Sequence, residues 1–172
     1  MEKIDLKLNR LSPDSTRGLY VAGTAVLIGS VKLKSKSSVW PNCVLRGDVE
    51  KIVIGKRTNI QDAAIIHTSP GFPTVIGNDV TVGHGAIIHG TEIRDNSLIG
   101  MGAVLLDGCK IGKNTIVAAG AVVPENKRLK SGKVYMGTPA VAVRTITGKE
   151  KTMIKSRAVE YVHLATAYLD KK

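Results

Sequence analysis

Four histidines stand in the chain, His67, His84, His89 and His163, and neutral imidazole is the commonest metal ligand a protein supplies. His67 follows Ile66 in IIHTS and His89 follows Ile88 in IIHG, while His84 lies between them in VGHGAI. Arg46 and Asp62 add one charge of each sign nearby in sequence. Two imidazoles held side by side can converge on one ion, since Zn–N bonds are about 2.0–2.1 Å. An arginine and a carboxylate brought together form a bidentate pair. Both outcomes depend on a backbone that repeats, because the residues are spread over 44 positions from Arg46 to His89.

Such a repeat is present. An aliphatic residue recurs every six positions at Val21, Leu27, Leu33, Val39 and Leu45, then at Ile54, Ile60 and Ile66, then at Ile76, Val82 and Ile88. A five-residue step leads to Ile93, after which Ile99, Leu105, Ile111, Val117 and Val123 keep the beat. Amphipathic helices recur at 3.6 and cannot make this period, whereas short strands joined by tight turns can. Three extra residues fall between Leu45 and Ile54, and four between Ile66 and Ile76, where HTSPGFPT carries Pro70, Gly71 and Pro73 and should bulge as a loop. The beat stops after Pro139. From about Lys149 to Leu169 apolar residues at Ile154, Ala158, Tyr161, Val162, Ala165 and Leu169 follow helical spacing, with Tyr161 and Tyr168 as packing residues.

The beat resembles that of hexapeptide-repeat proteins, in which three hexads make one triangular coil; on that likeness the steps Ile66, Ile76, Val82, Ile88 complete one turn and put His67 and His89 in the same slot of adjacent coils. Their backbones should lie about 4.8 Å apart. One coil earlier the slot holds Arg46, after Leu45. His84 sits two residues after Val82, in the column of Asp62, which lies two after Ile60, near another corner of the prism. It cannot easily reach the first two histidines in its own chain. A homotrimer with a threefold axis would bring it across an interface to them, and the same geometry would carry Asp62 towards Arg46. His163 falls outside this pattern and reads as a helix-surface residue.

Composition agrees with a solenoid. The chain has 172 residues, one domain's worth, with 43% hydrophobic residues but only 3% aromatic ones, and 18 glycines. A narrow interior filled by branched aliphatic side chains needs no aromatics. The domain should run over 1–140, with 141–172 as a linker and an α-helix packed on it. No apolar run approaches the roughly 18 residues of a membrane span. The start MEKIDLKLNR carries no secretory stretch, so a cytoplasmic location is expected, with no membrane partner. Cys43 and Cys109 lack a CxxC spacing and read as buried small hydrophobes. The net charge of +11 is scattered apart from Lys32 to Lys36 and Lys127 to Lys133, without an aromatic platform, so no nucleic-acid partner is expected.

The hexad pattern resembles the hexapeptide-repeat family, whose fold is a left-handed parallel β-helix. The likeness narrows with VWPNCVLRGD (39–48), TNIQDAAIIH (58–67), VGHGAIIHG (82–90) and the GTPA before the terminal helix, which look like the signature segments of γ-class carbonic anhydrases. The resemblance implies an all-β solenoid with a C-terminal helix, a homotrimer, and an intersubunit metal held by His67, His84 and His89. Zinc is the implied ion, with Fe2+ or Co2+ as alternatives. It further implies that Arg46 and Asp62 form an interfacial ion pair and that Asp48, Asn59 and Gln61 line the active site. The implied activity is reversible CO2 hydration to bicarbonate by a metal-bound hydroxide, since three imidazoles leave a position where water's pKa falls from 15.7 towards about 7. Gln61 would orient hydroxide or CO2, and Arg46 would hold bicarbonate or the trimer.

The chain departs from the most active members of that family in one respect. Their acidic loop is replaced by Thr68, Ser69, Pro70, Gly71, Phe72 and Pro73, and Val49 stands where a second acid would follow Asp48. Three other readings stay open: an ester or thioester hydrolase using the same ion, an acyltransferase with one essential histidine and no metal, and a trimeric module holding a structural metal or an anion. An open fourth position favours catalysis over a structural role.

Overall fold

A computed structural model describes residues 20–170; the first part of the expected 1–140 domain, with the segment MEKIDLKLNR, and the last two residues lie outside them. An inward side chain at every sixth position needs a short strand, a corner, and another short strand. The chain therefore winds into a parallel β-solenoid with three faces. The first face holds Tyr20–Val21, Ser38–Val39, Asn59–Ile60, Thr81–Val82, Leu98–Ile99, Ile116–Val117 and Lys133–Met136. The second holds Ile65–His67, Ile87–His89, Val104–Leu105 and Val122–Val123, and the third Thr74–Ile76, Glu92–Ile93, Lys110–Ile111 and Arg128–Leu129. Two longer strands, Val26–Leu33 and Val44–Ile54, bend round the edge between those faces and belong to both.

The beat residues are the core. Val39, Ile60, Val82, Ile99 and Val117 stack inside the first face, Leu45, Ile66, Ile88, Leu105 and Val123 inside the second, and Ile54, Ile76, Ile93 and Ile111 inside the third. All of these are at most 1% exposed, whereas Val21, Leu27 and Leu33 in the first coil are only partly buried. Small residues Cys43, Ala64, Ala86, Ala103 and Ala121 fill a corner of the prism. Burial pushes the Cys43 thiol up and the Cys109 thiol up to about 11, so both behave as small apolar groups. At the corner after the first face the backbone turns through left-handed residues in successive coils, Asn42, Ala63, Gly85, Gly102 and Gly120. That corner throws the residue before it outward, and in two coils this residue is Asp62 or His84.

The two interruptions resolve differently. Strand Val44–Ile54 absorbs the first: Gly29 pairs with Gly47 and Val31 with Ile52, so Asp48 to Lys51 lie opposite Ser30 alone. A Cβ on Gly29 would collide with the Gly47 carbonyl, so this close approach demands glycine. The second is the expected loop, a turn over Ser69–Pro70–Gly71–Phe72 in which Phe72 N donates to Ser69 O at 2.8 Å. Pro70 presets its first central residue and Gly71, at φ +78°, takes its second, as a type II turn requires.

The segment expected as a linker is partly a strand. Val141–Thr145 pairs antiparallel with Lys133–Met136 and so covers the open edge of the last coil. Helix Gly148–Leu169 starts at Thr147, whose side chain and backbone exchange hydrogen bonds with Glu150. A 22-residue helix is about 33 Å long, enough to run back along the first face. Ile154 packs with Ile116 and Val134 at one end, and Ala165 with Tyr20 and Trp40 at the other. Tyr161 and Tyr168 join Trp40 edge-on, as packing residues. Leu169, expected on the buried side, is 37% exposed: in the last turn it is the neighbouring Tyr168 that faces Tyr20 and Trp40. No described helix is long and apolar enough to cross a membrane.

Candidate metal centre

His67 and His89 pair directly in register on the second face, with ring centroids 4.9 Å apart. Nδ1 of His67 and Nε2 of His89 face each other at 2.9 Å. The other nitrogen of each ring meets an aspartate: His67 Nε2 lies 3.0 Å from Asp48 Oδ1, and His89 Nδ1 lies 2.7 Å from Asp107 Oδ1. His84, on the outward corner, has its Nδ1 2.9 Å from Asp62 Oδ2. An ionised carboxylate only accepts, so each neutral ring directs its N–H at an aspartate and keeps a lone pair on the opposite nitrogen.

That arrangement fits a metal. With both N–H groups on the aspartates, the facing nitrogens of His67 and His89 would each offer a lone pair to a cation between them. Nitrogens 2.9 Å apart on adjacent coils are close enough that both rings could hold one ion. Carboxylates behind ligating imidazoles are the usual outer support of such sites. Within one chain of the described residues, no three His, Cys, Asp or Glu side chains close into a metal-holding group, so His84 stays apart from the His67–His89 pair. His163 is exposed on the helix.

The remaining expected residues fall into two groups. Arg46 occupies the slot before His67 in the same column and donates from Nη1 to Asp48 Oδ2 at 2.7 Å. Burial would raise the Asp48 carboxyl, but hydrogen bonds from Arg46 and His67 outweigh it and hold Asp48 below the usual carboxylate range. Arg46 and Asp62 therefore have different partners inside one chain, Asp48 and His84. Asn59 and Gln61 lie buried on the first face. Gln61 Nε2 donates to Asn59 Oδ1 at 3.1 Å, and Asn59 Nδ2 donates to Thr81 Oγ1 at 3.0 Å. Gln61 and His84 open onto a cleft of about 490 Å³, walled by Leu98, Met101 and Ala118 and by Tyr161 and Arg157 of the helix.

Sequence reasoning missed Asp107 and Ser69, whose Oγ donates to Asp107 Oδ2 at 2.9 Å. Asp107 stands two residues after its anchor Leu105 and His89 one after Ile88, so slot matching alone does not align them. It also missed how Glu50 reaches the turn: its Oε1 accepts from Gly71 N at 3.2 Å.

Residues 90–125 match the family described as bacterial transferase hexapeptide (six repeats). A probable carbonic anhydrase of Methanocaldococcus jannaschii is 46% identical over 150 residues, covering 87% of this chain and 94% of the relative. The mitochondrial gamma carbonic anhydrase 2 of Arabidopsis thaliana is 44% identical over 160 residues, 90% of this chain; the match spans only 58% of the plant protein's length. Among solved structures, a hexapeptide transferase family protein from Anaplasma phagocytophilum superposes with a TM-score of 0.86 at 36% identity, covering 90% of this chain and 91% of that one. With identity of this order running through the coils that carry His67, His84 and His89, the chain belongs to the γ-class carbonic anhydrase family of hexapeptide-repeat proteins.

Proposed function

We propose that the protein is a metal-dependent carbonic anhydrase that interconverts CO2 and bicarbonate at centres shared between the chains of a homotrimer. One observation carries this reading: His67, His84 and His89 each have one ring nitrogen on an aspartate, which leaves the other nitrogen of each ring as a lone-pair donor. Zinc suits three imidazoles, and Fe2+ or Co2+ suits them too. His67 and His89 would hold the ion from one chain and His84 from its neighbour. Such an ion supplies Lewis acidity and makes hydroxide available near neutral pH at its open position.

The chain's own residues do the rest. Gln61, steadied through Asn59 on Thr81, keeps its carbonyl oxygen and one N–H to orient CO2 or hydroxide. Asp48 fixes the His67 ring and places the Arg46 guanidinium, a cation for bicarbonate before water displaces it. The outward side of the second face supports a second copy. Val26, Val44, Ile65, Ile87, Val104 and Val122 pair one to the next in a continuous aliphatic ladder. Ile65 is 45% exposed and Ile87 39%. A water-facing strand usually alternates apolar with polar residues, so an unbroken apolar column marks a contact surface. It runs beside Arg46, His67 and His89, so a copy seated there would bring its own His84 and Asp62 to them. A threefold ring closes such a head-to-tail contact. The unpaired, buried thiols suit the reducing cytoplasm.

A second reading draws on the cleft beside Gln61 and His84, which has room for far more than CO2 and an apolar wall of Leu98, Met101 and Ala118. It would admit the acyl part of an ester or thioester, to be hydrolysed with the same ion. Stopped-flow CO2 hydration separates the two, using anaerobically prepared protein of measured zinc or iron content. Hydration that disappears in His89→Ala supports carbonic anhydrase activity. Full metal occupancy without hydration removes CO2 as substrate and directs the assay to thioesters.

A further inference from the structure

The turn that replaces the acidic loop of the most active relatives carries no carboxylate, yet it is tied to a carboxylate that touches the site. Ser69 Oγ donates to Asp107 Oδ2 at 2.9 Å, and Asp107 Oδ1 meets His89 Nδ1 at 2.7 Å. Both oxygens of Asp107 are thereby engaged, one by the turn and one by the ring, so the carboxylate has no freedom to swing to solvent. The turn itself is held from several sides. Phe72 N donates to Ser69 O, Gly71 N donates to Glu50 Oε1, and Thr74 Oγ1 donates to the His67 carbonyl at 2.7 Å. The Phe72 side chain lies across Gly90 and Gly108, where any Cβ would meet it. Gly90 directly follows His89, and Gly108 directly follows Asp107. The turn thus grips both coils at the residues next to the pair it aligns.

We propose that Asp107 and Ser69 are positioning residues for His89: the Ser69–Phe72 turn clamps Asp107, and Asp107 keeps the proton on His89 Nδ1 so that Nε2 stays a lone-pair donor aimed at His67. This rests on the metal reading above for its purpose, although the alignment itself needs no metal. A carboxylate facing Nδ1–H selects that tautomer whatever else it does, so metal affinity is what a purely structural Asp107 would leave unmoved. Substituting Asn offers an amide that can accept from Nδ1–H or, flipped, donate to Nδ1, and so removes the selection.

The test uses the full-length chain in two states. In metal-free, 15N-labelled protein, long-range 1H–15N spectra report the His89 tautomer: the Nδ1–H form should dominate in the wild type, and Asp107→Asn should raise the Nε2–H form. Chelator competition should then show zinc affinity reduced about 10- to 100-fold by Asp107→Asn, the usual effect of losing such a partner. Ser69→Ala should weaken it less, and the double variant should bind no more weakly than Asp107→Asn alone, because Ser69 acts through Asp107. Ser69→Thr, which keeps the hydroxyl, should restore affinity. Ser69 lies on an exposed-sided turn, so its variants keep the proposal testable if Asp107→Asn fails to fold. An unchanged tautomer, affinities within twofold of the wild type, or additive losses would overturn the proposal. A wild type that shows the tautomer selection but takes up no zinc would instead refute the metal reading and leave the positioning role standing.

Discussion

The two places where the chain adds residues to its six-residue beat make an instructive pair. Asp48 to Lys51 stay inside the strand Val44–Ile54, whereas the residues after His67 fold off as the turn Ser69–Phe72. Composition accounts for the difference. Val49 and Ile52 favour extended backbone, and Gly29 and Gly47 let two coils approach where the register slips. Pro70, Gly71 and Pro73 remove strand donors and supply a left-handed residue. Yet both insertions end on a histidine. The first carries Asp48, which meets His67; the second carries Ser69, which reaches His89 through Asp107. A solenoid repeats its backbone, and here each addition supports one of two adjacent histidines of the regular coils.

The largest expected effect removes what both insertions serve. His67→Ala and His84→Ala should each abolish tight zinc binding in equilibrium dialysis, although the two residues lie on different corners of one chain; His163→Ala should leave it unchanged. Retention of full affinity by His84→Ala would break the shared-site reading. Nearly as large is the effect of placing a charge on the apolar ladder. Ile87→Lys should reduce the light-scattering mass from about three times 18.3 kDa to that of one chain, and lose tight metal binding with it. Lys110→Glu, on the third face, should leave the mass unchanged. A charged-ladder variant that remains trimeric would show that the copies meet elsewhere.

A smaller effect sharpens the contrast between the insertions. Asp48→Asn loses its charged contact with Arg46 as well as its hold on His67, so zinc affinity should fall about 10- to 100-fold. Phe72→Ala keeps every carboxylate and the Cβ beside Gly90 and removes only the ring, whose edge lies against Gly108, so it should cost about 1–2 kcal/mol in urea unfolding, since the ring is only partly buried. If the first insertion works by charge and the second by packing, high salt should narrow the difference between wild type and Asp48→Asn and leave that for Phe72→Ala unchanged.

Much of this was legible because the period of six dictates which side chain points inward. Ile60, Ile66 and Val82 could be placed in the core, and His67 over His89, before any coordinates. The turn at Pro70 was legible from its residue types. Asp107 was not, because it acts across a coil from a different slot, and an acid next to Gly108 reads as an ordinary corner residue. The pairing of Asp62 with His84 was visible as a shared column, but its hydrogen bond is a rotamer choice that spacing does not encode. Val141–Thr145 escaped for another reason: its residues are exposed, and only the antiparallel edge of Lys133–Met136 makes them a strand.

The terminal helix supplies a control remote from both insertions. Arg144, through two hydrogen bonds, and the Thr147 cap hold the Glu150 carboxyl down to about 2 from an ordinary value near 4.5. A carboxyl depressed on folding contributes stability that is present above its unfolded pKa and fades as pH falls towards its folded one. The helix attachment should therefore weaken between about pH 4.5 and 2, and Glu150→Gln should flatten the thermal-melting profile over that window. The effect should be small, since Glu150 is at the surface and screened by solvent, and smaller still in 1 M salt. Metal affinity at neutral pH should not respond to Glu150→Gln, because neither insertion contacts the helix cap. A change there comparable to that of Asp48→Asn would mean that the helix, and not the insertions alone, sets the geometry of the histidine column.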